Sequence, residues 1–171
     1  MLLVVLCVSA IGVLAESAAG VRWTAPSGWT SEGARPMRAA TYRIAPAAGD
    51  SVAAECGVYF FGQGQGGSVD ANIERWKEQF QGPDGKVSPA KVSARKIGAL
   101  SVTTIETSGA YSGMGGPMAQ SHGGVPGYRL LGAIVQGPGG NVFVKFTGPA
   151  KTIAANQQKF EQLLASFHVE K

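Results

Sequence analysis

Tyr128 to Phe167 reads YRLLGAIVQ, GPGG, NVFVKFTG, PAKTIAANQQKFEQLLASF, and this stretch decides the fold. Two apolar alternations joined by Gly-Pro-Gly-Gly form a hairpin signal. In the second arm Val142, Val144 and Phe146 share one face, while Phe143, Lys145 and Thr147 share the other, because side chains alternate along a strand. Pro149 then stands at or near the first position of a closing helix, where its missing N–H costs nothing. Ile153, Asn156, Phe160, Leu163, Leu164 and Phe167 follow the core-facing stripe of that helix.

Upstream, VSARKIGALSVTTIETSGAY (Val92–Tyr111) is rich in β-branched residues and reads as one long strand or a hairpin. GQGQGGSVDANIERWKEQF (Gly62–Phe80) begins as a glycine-rich loop and becomes a helix. Ser68 can cap it by accepting from a first-turn amide, and Asp70 complements the positive end of the dipole. Val69, Ile73, Trp76 and Phe80 fall on one face. The turn residues of Gln81–Lys86 end it. Nearer the amino end, Val52–Gly62 is a strongly apolar strand and Met37–Ala45 a strand carrying Arg38, Tyr42 and Arg43. VRWTAPSGWT (Val21–Thr30) is a short strand, a Pro-Ser-Gly turn and a second apolar contact, with Trp23 and Trp29 assigned to packing. Two helices and about six or seven strands, mostly joined by short turns, predict a single α+β domain with helices packed on an antiparallel sheet.

The first residues, MLLVVLCVSAIGVLAESAAG, carry no charge from Leu2 to Ala15, about the length of a signal-peptide core and short of the roughly 20 apolar residues of a membrane span. Ser17-Ala18-Ala19 is a small-x-small cleavage signal, with Val13-Leu14-Ala15 a second candidate. A leader over 1–19 and a domain over 20–171 are therefore expected, with the product exported to a periplasmic or extracellular compartment. Cys7 leaves with the leader. Cys56 remains alone, so no internal disulfide supports the domain and its core must. The formal net charge is +4 and the basic residues are scattered, with only Arg95 and Lys96 adjacent. That pattern lacks the clustered footprint of a nucleic-acid binder.

The chain resembles the PsbP-like superfamily through WTAPSGWT with MRAATYRI, through a central helix, and through the closing FVKFTGPAKTIAANQQKFEQLLASFHV. The resemblance spans roughly Val21–Val169 and implies an α/β/α sandwich and an exported bacterial protein. Members are mostly binding or assembly proteins without a shared catalytic set, so no residue roles are carried over. The fold hosts unrelated functions.

Catalytic chemistry finds little support in the residues. Hydrolysis through a nucleophile needs a positioned base. Only His122 and His168 are present, Cys56 sits in an apolar strand as a small inert hydrophobe, and no G-x-S-x-G elbow occurs. Gly62–Gly67 does not match a nucleotide-binding glycine spacing, and Asp70 would repel phosphate. The segment GMGGPMAQSHGGVPG (Gly113–Gly127) lies between two strands as a long loop, and such loops are often functional. It reads as a docking or lid element with Tyr111, Met114, Met118 and His122 as contacts. Met114, Met118 and His122, spaced by four, also form an alternative soft-ligand set for copper. The expectation is a non-catalytic envelope protein that binds a protein or ligand, with no cofactor and no membrane span after leader removal. Copper handling and a purely structural domain are the alternatives.

Overall fold

The computed structural model describes residues 15–33, 35–113 and 124–170. In chain order they form β1 (Ala15–Ala18), β2 (Val21–Thr24), β3 (Thr30–Ser31), β4 (Arg38–Ile44), β5 (Ala54–Tyr59), α1 (Val69–Lys77), β6 (Phe80–Gln81), β7 (Ala90–Ile97), β8 (Leu100–Tyr111), β9 (Val125–Gly137), β10 (Gly140–Pro149), α2 (Ala150–Ala155), α3 (Gln157–Ala165) and β11 (His168–Val169). An eight-stranded antiparallel sheet runs in the order β3-β4-β5-β10-β9-β8-β6, with β7 sharing the outer edge of β8. Two of its strands are two residues long, which leaves six extended strands; the short strand at Val21, counted among the six or seven expected, lies in a separate sheet. A second sheet, β1-β2-β11, joins the first and last of the described residues.

The main sheet is covered on both faces, giving an α/β/α sandwich. Val142, Val144 and Phe146 face a large core shared with Trp23, Trp29, Tyr42, the stripe Ile153, Phe160, Leu163 and Leu164 from α2 and α3, and Phe167, which follows the end of α3. Phe143 faces the other way, into a smaller core with Ile73 and Trp76 of α1, Phe80, Ile105, Leu130 and Ile134. Alternation along one strand thus feeds two cores, as period two requires.

Local chemistry explains the boundaries. Ser68 Oγ accepts from Ala71 N at 3.2 Å and caps α1. Phe80, expected on that helix, lies beyond its last turn in β6, yet its ring still joins the same core. The Val92–Tyr111 stretch is a hairpin, turning at Gly98 in the left-handed region. The closing helix is two helices. At Asn156 the backbone leaves helical geometry, Nδ2 donates to Thr152 O at 2.9 Å, and Oδ1 accepts from the Trp29 indole at 3.1 Å. The polar residue in the apolar stripe is there to partner a buried tryptophan.

β1 falls inside the stretch that the sequence assigns to a leader. Its hairpin with β2 turns at Ala19 and Gly20, both at positive φ, the geometry of a two-residue primed turn. Glu16 accepts from the Tyr42 hydroxyl, and its carboxylate lies 3.2 Å from the Trp23 indole nitrogen, which also donates to Tyr42 at 2.8 Å. A chain break after Ala19 would remove this strand and the acceptor for two buried aromatic donors. No helix among the described residues is long and apolar enough to cross a membrane.

Candidate ligand-binding cleft

Lys145 is the anomaly of β10. It lies in the middle of an otherwise apolar strand and is only 7% exposed. The cause is visible in the register. Its neighbours across the sheet are Gly57 on β5 and Gly132 on β9, so neither side presents a side chain. Aromatic rings fill those places instead. A Cβ on Gly57 would stand 2.7 Å from the Tyr59 ring, and one on Gly132 would stand 2.6 Å from the Trp76 ring. The two glycines therefore let rings close over the sheet on either side of the lysine.

The Lys145 ammonium donates to Gln79 Oε1 and to the Tyr111 hydroxyl, the latter at 3.1 Å. It also lies 5.1 Å from the centre of the Tyr111 ring, within cation–π range. Among the described residues no carboxylate pairs with it, although an ammonium has three N–H groups to satisfy. Burial pushes its pKa down to about 8, helped by the nearby positive charge of Arg38 and opposed by Glu55. At neutral pH it is still mostly a cation.

Beside it opens a cavity of about 220 Å³. Its floor is the part of the sheet that α1 leaves uncovered. Arg38 on β4 enters with its guanidinium 5.1 Å from the Tyr59 ring centre and a 2.7 Å ion pair to Glu55. Tyr111 and Tyr128 stack at 5.7 Å between ring centres and supply another wall. They come from β8 and β9; the Gly113–Gly127 segment, expected to be loop throughout, already enters β9 at Val125. Thr147, two residues beyond Lys145 on the same face, is among the lining residues, and its hydroxyl oxygen is turned into the protein with no hydrogen-bond partner among the described residues. Burial raises the phenol pKa values of Tyr59 and Tyr111, the latter to about 12. Tyr59 and Tyr111 thus stay neutral hydrogen-bonding groups, and among the described residues the charge of the site is one cation beyond the Arg38–Glu55 pair.

Such a site can hold an acceptor-rich or anionic group beside Lys145, with tyrosine rings bordering an apolar body. Glu55 is engaged by Arg38, and Tyr111 is pushed far from neutral pH, so neither is poised to exchange protons there.

Of the residues singled out in the sequence, Tyr111 lies in this cleft. Met114, Met118 and His122, proposed as loop contacts and as copper ligands, lie outside the described residues. Among the described residues no group of three or more His, Cys, Asp or Glu side chains is placed to hold a metal. Cys56 is fully buried, and burial pushes its thiol well up. His168 stands in β11, with Nδ1 2.9 Å from the Ser166 carbonyl oxygen. Sequence reading placed Lys145 and Thr147 on a shared face but gave them no role. The available signal was a lysine flanked by phenylalanines one and two residues away in an apolar strand.

No family model matches the chain, and no curated protein matches it in sequence. Among solved structures it is similar to the solution structure of cyanobacterial PsbP (CyanoP) from Synechocystis sp. PCC 6803. The match has 14% identity and a TM-score of 0.56, and it covers 98% of each chain. The protein therefore has a PsbP-like fold.

Proposed function

We propose that this protein is an exported, non-catalytic accessory module that binds its partner or ligand through the cleft beside Lys145. The observation that carries the reading is a buried ammonium without a carboxylate partner among the described residues, facing a cavity walled by tyrosines. A buried unpaired charge costs stability, and its retention is accounted for when a partner completes it. The PsbP-like fold is compatible with an accessory role but supplies no site residues.

Export rests on the apolar leader, and β1 argues for its end. The mature chain begins at Glu16, after the second candidate signal Val13-Leu14-Ala15, because cleavage there keeps the β1–β2 hairpin and the Glu16 acceptor. The experiment expresses the full chain in its native background with a carboxyl-terminal tag, isolates it from the envelope fraction, and sequences its amino end. A first residue of Glu16 supports this reading; a first residue of Gly20, or retention in the cytoplasm, overturns it. The same preparation is compared with Lys145→Met. A stoichiometric partner or ligand held by the wild type and lost by the folded variant supports binding at the cleft. Equal recovery from both moves the site elsewhere.

A further inference from the structure

We infer that the cleft is built for a single carboxylate attached to a flat apolar body, with the carboxylate set between Lys145 Nζ and the Thr147 hydroxyl. This rests on the cleft being the binding site, and it specifies the chemistry of what enters.

Charge balance selects a monoanion. Arg38 is already neutralised by Glu55 at 2.7 Å, which leaves Lys145 as the one cation without a counter-charge among the described residues of the cavity. A dianionic phosphate would carry one negative charge more than the site can match, close to the Glu55 carboxylate. A neutral or cationic head would leave the ammonium uncompensated.

Hydrogen-bond inventory points the same way. Lys145 has two protein acceptors, Gln79 Oε1 and Tyr111 Oη, and three N–H groups to place. Thr147 has a buried hydroxyl with no partner. A carboxylate accepts the third ammonium proton with one oxygen, and a turn of the Thr147 side chain about χ1 brings its orphaned hydroxyl from its buried position to the other.

The walls specify the remainder of the ligand. Tyr59, Tyr111 and Tyr128 line the cavity; Tyr59 is already engaged by Arg38 and Phe61, and Tyr111 by Phe80, Tyr128 and Lys145, so among the described residues Tyr128, stacked on Tyr111 alone, is the ring with room for a ligand. That ring favours a planar or apolar group beside the carboxylate. Two sources present that chemistry: a small free acid, and the terminal carboxylate of a polypeptide ending in an apolar residue.

The test uses the chain from Glu16 onward, isolated from the envelope, with NMR amide and methyl shifts as the readout. Benzoate represents the small acid and N-acetylphenylalanine the chain end, and benzamide and N-acetylphenylalaninamide are their neutral counterparts. Phenyl phosphate supplies the dianion. The expected result is saturable shifts at Lys145, Thr147 and Tyr128 with the acids, and binding about ten- to a hundredfold weaker in Lys145→Met. Thr147→Val, which keeps the shape, is expected to weaken binding in the same direction. Binding should also fall as pH rises through about 8, where Lys145 loses its charge in a site faced by Arg38, Glu55, Tyr59, Tyr111 and Tyr128. Benzoate bound more tightly than N-acetylphenylalanine assigns the small acid, and the reverse assigns the chain end. Amides or phenyl phosphate bound as well as the acids would overturn the carboxylate while leaving the cleft a binding site. Absence of shifts with every probe would overturn both.

Discussion

Lys145 shows how a single side chain acquires chemistry from its neighbours. An exposed lysine on an edge strand would be a solvated charge. Here two glycines on the flanking strands admit the Tyr59 and Trp76 rings, and these exclude water around the ammonium. The consequence for stability has a definite sign. In the unfolded chain Lys145 keeps its proton until about pH 10.5, and in the folded chain it releases it near 8. Below pH 8 both states are charged and the folded state carries the cost of the buried cation. Between those values the folded state binds fewer protons, so its stability rises with pH. The span amounts to about 3 kcal/mol. In urea unfolding, Lys145→Met should therefore be at least as stable as the wild type at pH 7. Its advantage should shrink by up to about 3 kcal/mol toward pH 10.5. An advantage that does not change with pH would mean that the charge is not desolvated. Taking the difference between the two proteins cancels the opposing effects of Cys56 and the buried tyrosines, whose raised pKa values favour unfolding at alkaline pH.

At the scale of elements, the closing helix breaks where its stripe turns polar. Asn156 holds the joint between α2 and α3 by donating to Thr152 O and accepting from Trp29, so one residue sets both the helix angle and the seat of a core aromatic. Asn156→Ala is expected to destabilise the fold by about 1–3 kcal/mol, because the buried indole N–H loses its acceptor. A urea midpoint unchanged from the wild type would show that water replaces it. The Gly-Pro-Gly-Gly hairpin was legible because turn residues state their own geometry. So was the start of α1, where Ser68 caps as its hydroxyl permits. The division of the last helix was not, since a 3.6-residue period looks the same on both sides of a local break. Nor was the position of Phe80, because an apolar residue at helical spacing joins the same core from a following strand.

For the whole molecule, both faces of one sheet are buried, and the first and last strands of the described residues meet in the β1-β2-β11 sheet. In the chain from Glu16 onward Cys56 is the sole thiol, and it lies at full burial between Tyr42 of β4 and Phe146 of β10 in register. It should react with Ellman's reagent only as fast as the protein unfolds. Stoichiometric reaction within seconds under native conditions would contradict a closed sandwich. Sequence alone determined the α+β class, the extended strands, the first helix and the burial of Cys56, Trp23 and Trp29. Each follows from periodicity, turn chemistry or apolar content within a short window. Only the tertiary structure decided that β1 belongs to the fold, because its partners Tyr42 and Trp23 are recognised by contact rather than by composition. The cleft was likewise a product of register: Arg38, Glu55, Tyr59, Tyr111, Tyr128, Lys145 and Thr147 come from five strands, and only their pairing across the sheet brings them to one cavity.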